Sequence, residues 1–458
     1  MRKQFPYLIS RALSPAPLTL YLLPFTLFLS SCDPGLKAPE PDAGNADFHK
    51  FIAVGGDYLA GYQDGALYQK GQRNSLPALL AQQFALVGCE PFSQPLMPDD
   101  RGLGLNLKPW ESPFVTASKL GHQTDCQGVT SLFPLGTQLT ASTASIYLSG
   151  ISGNSFQNLS VPFAKTADLF STALSNSYAN GDPNPYYYRF CSNAGNSTVY
   201  SDAVNQQATF IAVWTGMEDI YDYASHGGHN VTIAPASVFS AYLDTLLTGL
   251  TANGAKGVIA NIPGMGDLPF YTTVPWNGMK LTQNKADSLN QLQGYLFNFV
   301  AGNNGFMIEY PNNSGQYRKL GPGENILLTV PLDSVKCDFL GAFTPLPDRY
   351  VLDSMEVQYL SGMIAAYNAV IVQKASQYGL ALADMNAYFH SVYTGIKWDG
   401  VDMNAQFVSG GFYSLDGYHP NQKGYSLIAN EFIRAVNAKF SSAIPWVNCP
   451  DCDGVIFP

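Results

Sequence analysis

Near the carboxyl end, Asp416-Gly417-Tyr418-His419 places a carboxylate three residues before an imidazole in a glycine-bearing loop. That spacing lets Asp416 hold one ring nitrogen of His419 while the other faces a cleft, as a general base requires. Pro420, Gly424 and the amphipathic stretch 425–440 make the signal more specific than an isolated Asp-x-x-His pair. Such a base acts only on a proton donor beside it, ordinarily a hydroxyl. The glycine-rich turn where a serine is needed reads Gly55-Gly56-Asp57-Tyr58 instead. Asp57 is a poor nucleophile for acyl transfer: a carboxylate beside an imidazole is already ionised, and its attack would leave a reactive anhydride. Ser75, Ser155 and Ser160 follow in the chain, but none stands on that turn.

These residues need a scaffold that brings position 57 to position 419. The runs 51–54, 210–214, 257–262 and 380–384 are short and apolar, each passes into a polar or glycine-bearing loop, and each reads as a buried strand. Helical periodicity spans Ser75 to Phe84, with Pro77 tolerated in the first turn, and Asp353 to Tyr378. Short buried strands separated by helices predict an α/β fold with a parallel sheet covered on both faces. Residues 89–150 and 178–204 are too long for simple connections and predict insertions that wall a cleft over the carboxyl ends of the strands. Asn261 to Asp267 is expected to form another wall. Tyr186-Tyr187-Tyr188, Trp214, Trp276 and Tyr271 read either as packing or as a stacking platform for carbohydrate.

Arg2, Lys3 and Arg11 precede an apolar run from Leu18 to Leu29 and then Ser30-Ser31-Cys32, the order of an export signal. The run is short for a membrane span and Pro24 interrupts it. Residues 1–31 therefore read as a lipoprotein signal peptide with Cys32 as the lipid attachment site, in preference to an ordinary secretory signal or a transmembrane anchor. A flexible tether is expected over 32–50, one elaborated domain over 51–442 and a tail over 443–458. The expected location is the cell envelope, with an outer-membrane anchor. The whole chain carries a formal net charge of -10, and loss of the three basic residues in the signal leaves 21 basic against 34 acidic residues. That surface disfavours nucleic acid. Cys89, Cys126, Cys191, Cys337, Cys449 and Cys452 permit three disulfides whose pairing the sequence leaves open. Cys449-Pro450-Asp451-Cys452 reads as a staple for the tail, because no helix follows it as a redox motif requires.

Taken together, these blocks resemble the GDSL-type esterases and lipases of the SGNH hydrolase superfamily, in the branch found among exported lipoproteins of Bacteroidetes-like bacteria. The resemblance runs from about Phe51 to Phe440: the first block is Ala53 to Tyr68, the second Asn158 to Ala164, the third Gly216-Met217-Glu218-Asp219, and the last holds Asp416 and His419. It implies a three-layer α/β/α sandwich with a flavodoxin-like parallel sheet and long loop insertions. In members with intact blocks it also implies ester cleavage through a covalent serine. Aligned without a gap through Gly61 to Gly65, Asp57 falls on the nucleophile and Gly56 on the aspartate before it; a shift of one residue puts Tyr58 there instead. The implied oxyanion donors are the backbone N–H groups of Asp57 and of a residue near Phe163, with Glu218 standing where the family has asparagine. An ionised glutamate offers only acceptors to a charge it should stabilise.

The expectation is thus a protein without serine esterase activity and without a cofactor, whose cleft binds a glycan, a peptide or a protein partner. The alternative is an altered hydrolase of ester-bearing substrates, acylated carbohydrate or lipid, in which a divalent metal ion sits among Asp57, Glu218 and His419. A structural role with no ligand is the remaining possibility. His226 and His229 have a spacing that permits ligation, while His122 and His390 read as satisfied structural groups.

Overall fold

The computed structural model describes residues 40–105, 114–151, 155–176, 183–228, 231–292, 297–309 and 315–458. Contacts divide the chain into Met1–Glu40 and Pro41–Pro458, and every element below belongs to the second unit. The expected signal peptide, Cys32 and His229 lie outside the described residues.

Four of the apolar runs form one parallel sheet. Strands β1 (Phe51–Gly55), β2 (Phe210–Trp214), β3 (Lys256–Ala260) and β4 (Ala381–Ala383) lie side by side in chain order, with Ala53, Ala212, Val258 and Ala381 in register. Every residue of β1 and β2 is buried, which is why these strands read as continuous apolar runs and not as alternating ones. On the open side of β1, the Ala53 N–H donates to the Gln157 carbonyl at 2.9 Å, and Leu159 and Val161 donate to Ala53 and Gly55 at 2.9 and 2.8 Å. This rung sets the second block outside the first strand, the order of a flavodoxin-like sheet.

The helices that bear on the site are α1 (Asp57–Ala60), α2 (Leu76–Ala85), α3 (Met217–Ser225), α4 (Ala236–Thr251), α5 (Leu332–Cys337), α6 (Ser354–Gln377) and α7 (Gln422–Phe440). Helices α2 and α7 pack together on one side of the sheet, and α4 packs on α6 on the other. Helix α6 begins at a reciprocal cap: Asp353 accepts from the N–H groups of Met355 and Glu356 at 2.8 and 2.9 Å, and Glu356 accepts from Asp353 at 2.8 Å. The α/β architecture expected from the strand and helix pattern is the one the chain adopts.

The insertions differ in part from expectation. Residues 89–150 contain an antiparallel hairpin, Lys119–Thr124 with Thr130–Leu135. Within the described part of 178–204, Tyr186 and Tyr187 are buried, with their hydroxyls donating to the Leu103 carbonyl at 3.0 Å and to Asp202 at 2.7 Å, while Tyr188 is half-buried. Trp214 and Tyr271 are buried too, so these four rings pack in the core, while Tyr188 and Trp276 stay half-buried. A large insertion that the periodicity did not reveal follows Tyr271, with its own apolar cluster around Met279, Phe306 and Leu346. One disulfide, Cys126–Cys337, closes among the described residues across a sequence separation of 211. The tail is not stapled as expected, since Cys449 and Cys452 are free thiols. It is fastened instead by Asn430, which accepts from the Val447 N–H at 2.7 Å and donates to Cys449 Sγ at 3.3 Å. No helix of the described residues is long and apolar enough to cross a membrane.

Candidate functional site

Strand β1 ends at Gly55-Gly56 and turns directly into α1, which delivers Asp57 to the carboxyl end of the sheet. Strand β2 leads through Gly216, at φ +97°, into α3, whose first turn carries Glu218. The loop before α7 carries Asp416 and His419. It is fixed by Asn421, which caps α7 by accepting from Gly424 at 2.9 Å and donates to the carbonyls of Gly411 and Tyr413 at 3.1 Å each. Three separate strand-end or helix-start positions thus converge on one point.

At that point the carboxylates, the imidazole and two backbone N–H groups engage one another. His419 Nδ1 lies 3.0 Å from Asp416 Oδ2 and its Nε2 lies 3.2 Å from Asp57 Oδ2. The other Asp57 oxygen accepts the Phe163 N–H at 2.6 Å, and the Asp57 N–H donates to Glu218 Oε1 at 2.7 Å. Asp416 is held in turn by the N–H groups of Tyr418, His419 and Gly65 at 2.9, 2.8 and 3.0 Å. Asp57, His419 and Glu218 are 1%, 3% and 4% exposed. The structure therefore gathers Asp57, Glu218, Asp416, His419 and the Phe163 amide into one buried cluster. Phe163 adopts φ +63°, a conformation in which glycine is at ease and phenylalanine is strained, yet its N–H is delivered intact.

The electrostatics follow from this pairing. Burial alone would lower the His419 pKa, but Asp416 and Asp57 outweigh it and raise it to about 9, so the ring is an imidazolium at neutral pH. Burial would raise Asp416, yet the His419 charge and the hydrogen bonds it accepts hold it below the usual carboxylate value. Glu218 is pushed well above the ordinary value by burial and then by the Asp57 charge, which favours the neutral acid. Its Oε2 is buried without a hydrogen-bond partner. Gly56 leaves room for this arrangement: a β-carbon on it would collide with the Glu218 carboxyl group unless that side chain moved.

Among the described residues no serine bonds the ring, and the Ser160 hydroxyl is buried without a partner. Ser75 caps α2, Ser155 Oγ accepts from Gln206 at 2.7 Å, and both ring nitrogens of His419 face carboxylates. The suggested metal set does not fit either. Asp57, Glu218 and His419 turn their atoms to one another and to backbone N–H groups, and among the described residues no group of three His, Cys, Asp or Glu could hold a metal ion. His226 is exposed and bonds the carbonyl of Asp222 at 2.7 Å, while His122 and His390 prove exposed and not packed inside. His390 lies 3.0 Å from Asp267.

Beside His419 opens a cavity of about 470 Å³, walled by Tyr62, Phe163, Phe270, Leu328 and Phe407. Its outer wall is made by Leu132 and Phe133 of the hairpin and by Leu332 and Lys336 of α5. Asp416 and His419 line it, but Asp57 and Glu218 do not. Asn261 to Asp267, expected as a wall, stops short of it, because Asn261 is spent on Asp384 and Asn386 at 2.8 Å each. The walls from residues 328–336 and 407 carry no motif; apolar residues in loops look alike whether they face a core or a cleft.

The model of the family described as GDSL-like Lipase/Acylhydrolase matches residues 122–432. The chain belongs to this GDSL-like family. The matched stretch contains Glu218, Asp416 and His419 and begins after Asp57. No curated protein matches this GDSL-family chain. Among solved structures, it is similar to a GDSL-like protein of Parabacteroides merdae, with TM-score 0.35, 10% identity and coverage of 87% of this chain and 99% of that one. An extracellular lipase of Streptomyces rimosus follows at TM-score 0.32, 12% identity, and 85% and 98% coverage.

Proposed function

We propose that this member of the GDSL-like family is an exported, lipid-anchored binding protein that has given up serine esterase chemistry and holds an apolar or amphiphilic ligand in the cleft beside His419. One observation carries the reading. The two backbone N–H groups that would meet an oxyanion, those of Asp57 and Phe163, are occupied by Glu218 and Asp57 of the chain itself. Hydrolysis through an acyl-enzyme needs an alcohol to attack, a neutral base to take its proton and free donors for the developing charge. Here the position beside the ring holds a carboxylate, the ring is already protonated, and both donors are engaged.

The cavity walls bear on the ligand. Phe133, Phe163, Phe270, Leu328 and Phe407 suit an acyl chain or the apolar side chains of a peptide better than a glycan, which needs more hydrogen-bonding groups than these offer. The export signal ending at Cys32 supports a site presented at the cell envelope.

The test is hydrolysis of short p-nitrophenyl esters and acetylated sugars by the wild type and His419→Ala, with and without added divalent metal. The expected result is the same background rate for both proteins throughout. Turnover lost in His419→Ala would restore a hydrolase, and turnover needing metal and Glu218 would favour the altered-hydrolase alternative.

A further inference from the structure

The outer wall of the cavity is joined in an unusual way. The hairpin Lys119–Thr124 with Thr130–Leu135 reaches across the cleft to α5 and is linked to it by the disulfide Cys126–Cys337. Three polar contacts accompany that bond: Lys336 Nζ to Asp125 at 3.1 Å, Gln123 Nε2 to Asp333 at 3.3 Å and Gln127 Nε2 to the Lys336 carbonyl at 3.2 Å. All four lie between the hairpin tip and one short helix.

Little else holds the hairpin down. Of its two six-residue strands only Leu120 is buried, and no residue of either belongs to an apolar cluster of the described residues. Leu132 and Phe133 border the cavity while each stays 38% exposed. The Lys336 end of its ion pair is 46% exposed although the Asp125 carboxylate is only 7% exposed, and both glutamine contacts are on the surface, so these polar pairs add only modestly to holding the two elements together. An element with few buried apolar contacts opens at low free energy. The covalent link is therefore the principal restraint on the outer wall. Cys126 is exposed and Cys337 half-buried, so the bond is within reach of a thiolate from solution.

We infer that the hairpin 119–135 is a lid over the His419 cleft, latched shut by Cys126–Cys337 and released when a dithiol reductant cleaves that bond. The inference rests on the ligand-binding reading above and concerns how the ligand gets in and out. In the chemical step, one thiolate of the dithiol attacks one sulfur of the latch and the other sulfur leaves as a thiolate. The second thiol of the reductant then resolves the mixed disulfide. Two electrons and two protons pass to the latch, leaving Cys126 and Cys337 as thiols and the reductant as its own disulfide. Ligand exchange is slow with the latch closed and fast with it open.

The test uses the mature chain and Nile red, an uncharged apolar dye, as the probe. Dissociation of the dye is followed by stopped-flow fluorescence before and after reduction, and again in Cys126→Ser/Cys337→Ser. The expected result is dissociation faster by about tenfold or more in the reduced and double-variant proteins, as loss of a restraint acts mainly on the off-rate. Equal dissociation rates in both states would overturn the lid. Because the double variant could misfold, hydrogen exchange across residues 119–135 is measured on folded wild type, with no dye, in both redox states. Protection lost from the hairpin on reduction, and kept in the sheet, supports the latch; equal protection in both states overturns it. Failure of the dye to bind in either state counts against the ligand reading, and hydrogen exchange then decides the lid separately.

Discussion

Asp57 and Glu218 behave as a pair, and Gly56 makes room for them. The Glu218 carboxyl group fills the space a side chain at position 56 would need, while accepting the N–H of position 57. Gly56→Ala is expected to destabilise the fold by about 1–3 kcal/mol through overpacking. The loss should be much smaller in a Glu218→Ala background, so urea unfolding of the four proteins should show coupling; strictly additive losses would contradict the contact. The His419 imidazolium gives a second expectation. Its pKa rises from 6.5 unfolded to about 9 folded, so the folded state binds the extra proton between these values. That stabilisation, about 3 kcal/mol at most, is complete below pH 6.5 and is lost as pH rises through 9. Glu218, raised by burial, runs the same way, favouring the folded state less as pH climbs past its ordinary value. Urea midpoints should therefore fall from pH 6 to pH 9, and His419→Gln should flatten that slope. A wild-type midpoint that rises over the same interval would show the ring to be neutral.

At the scale of elements, the loop that carries Asp416 and His419 depends on Asn421. Its side chain caps α7 and satisfies two buried carbonyls, so Asn421→Ala removes a cap and leaves acceptors unpaired. The expected cost is about 2–3 kcal/mol, read as a lowered urea midpoint; a change within error would mean water replaces the amide fully. The same elements show what a sequence reveals. Strands β1 and β2 were legible because contiguous burial makes them contiguous in apolarity, β3 and β4 because they are nearly so, and α6 because its periodicity persists over 24 residues. The insertion after Tyr271 was not legible, since its strands are two or three residues long and too short for a period to register. The residues of the cluster were visible one by one, but their contacts were not. Glu218 meets Asp57 across 161 positions and Phe163 meets it across 106, and no local pattern encodes which carboxylate takes which N–H. The free Cys449 and Cys452 show the same limit, as parity counts the cysteines but cannot tell a bonded pair from two buried thiols.

The whole molecule combines a family scaffold with an acidic surface and an expected lipid anchor. If Cys32 carries lipid, Cys32→Ser should move the protein from the membrane fraction to the soluble fraction of the cell envelope, detected by immunoblot; unchanged fractionation would show that Cys32 is not the anchor. In the site the scaffold retains, the chain's own carboxylates occupy the positions of an attacking alcohol and of the charge it would create. Asp57→Ser/Glu218→Asn would supply the alcohol beside His419 Nε2, free the Phe163 N–H and place an amide donor in the hole. The most direct measurement is hydrolysis of p-nitrophenyl acetate by this double variant beside the wild type and His419→Ala. Background rates are expected for the latter two and a gain of about two powers of ten or more in the double variant, the scale set by one restored oxyanion donor. Wild-type turnover that His419→Ala abolishes would contradict this reading of the site.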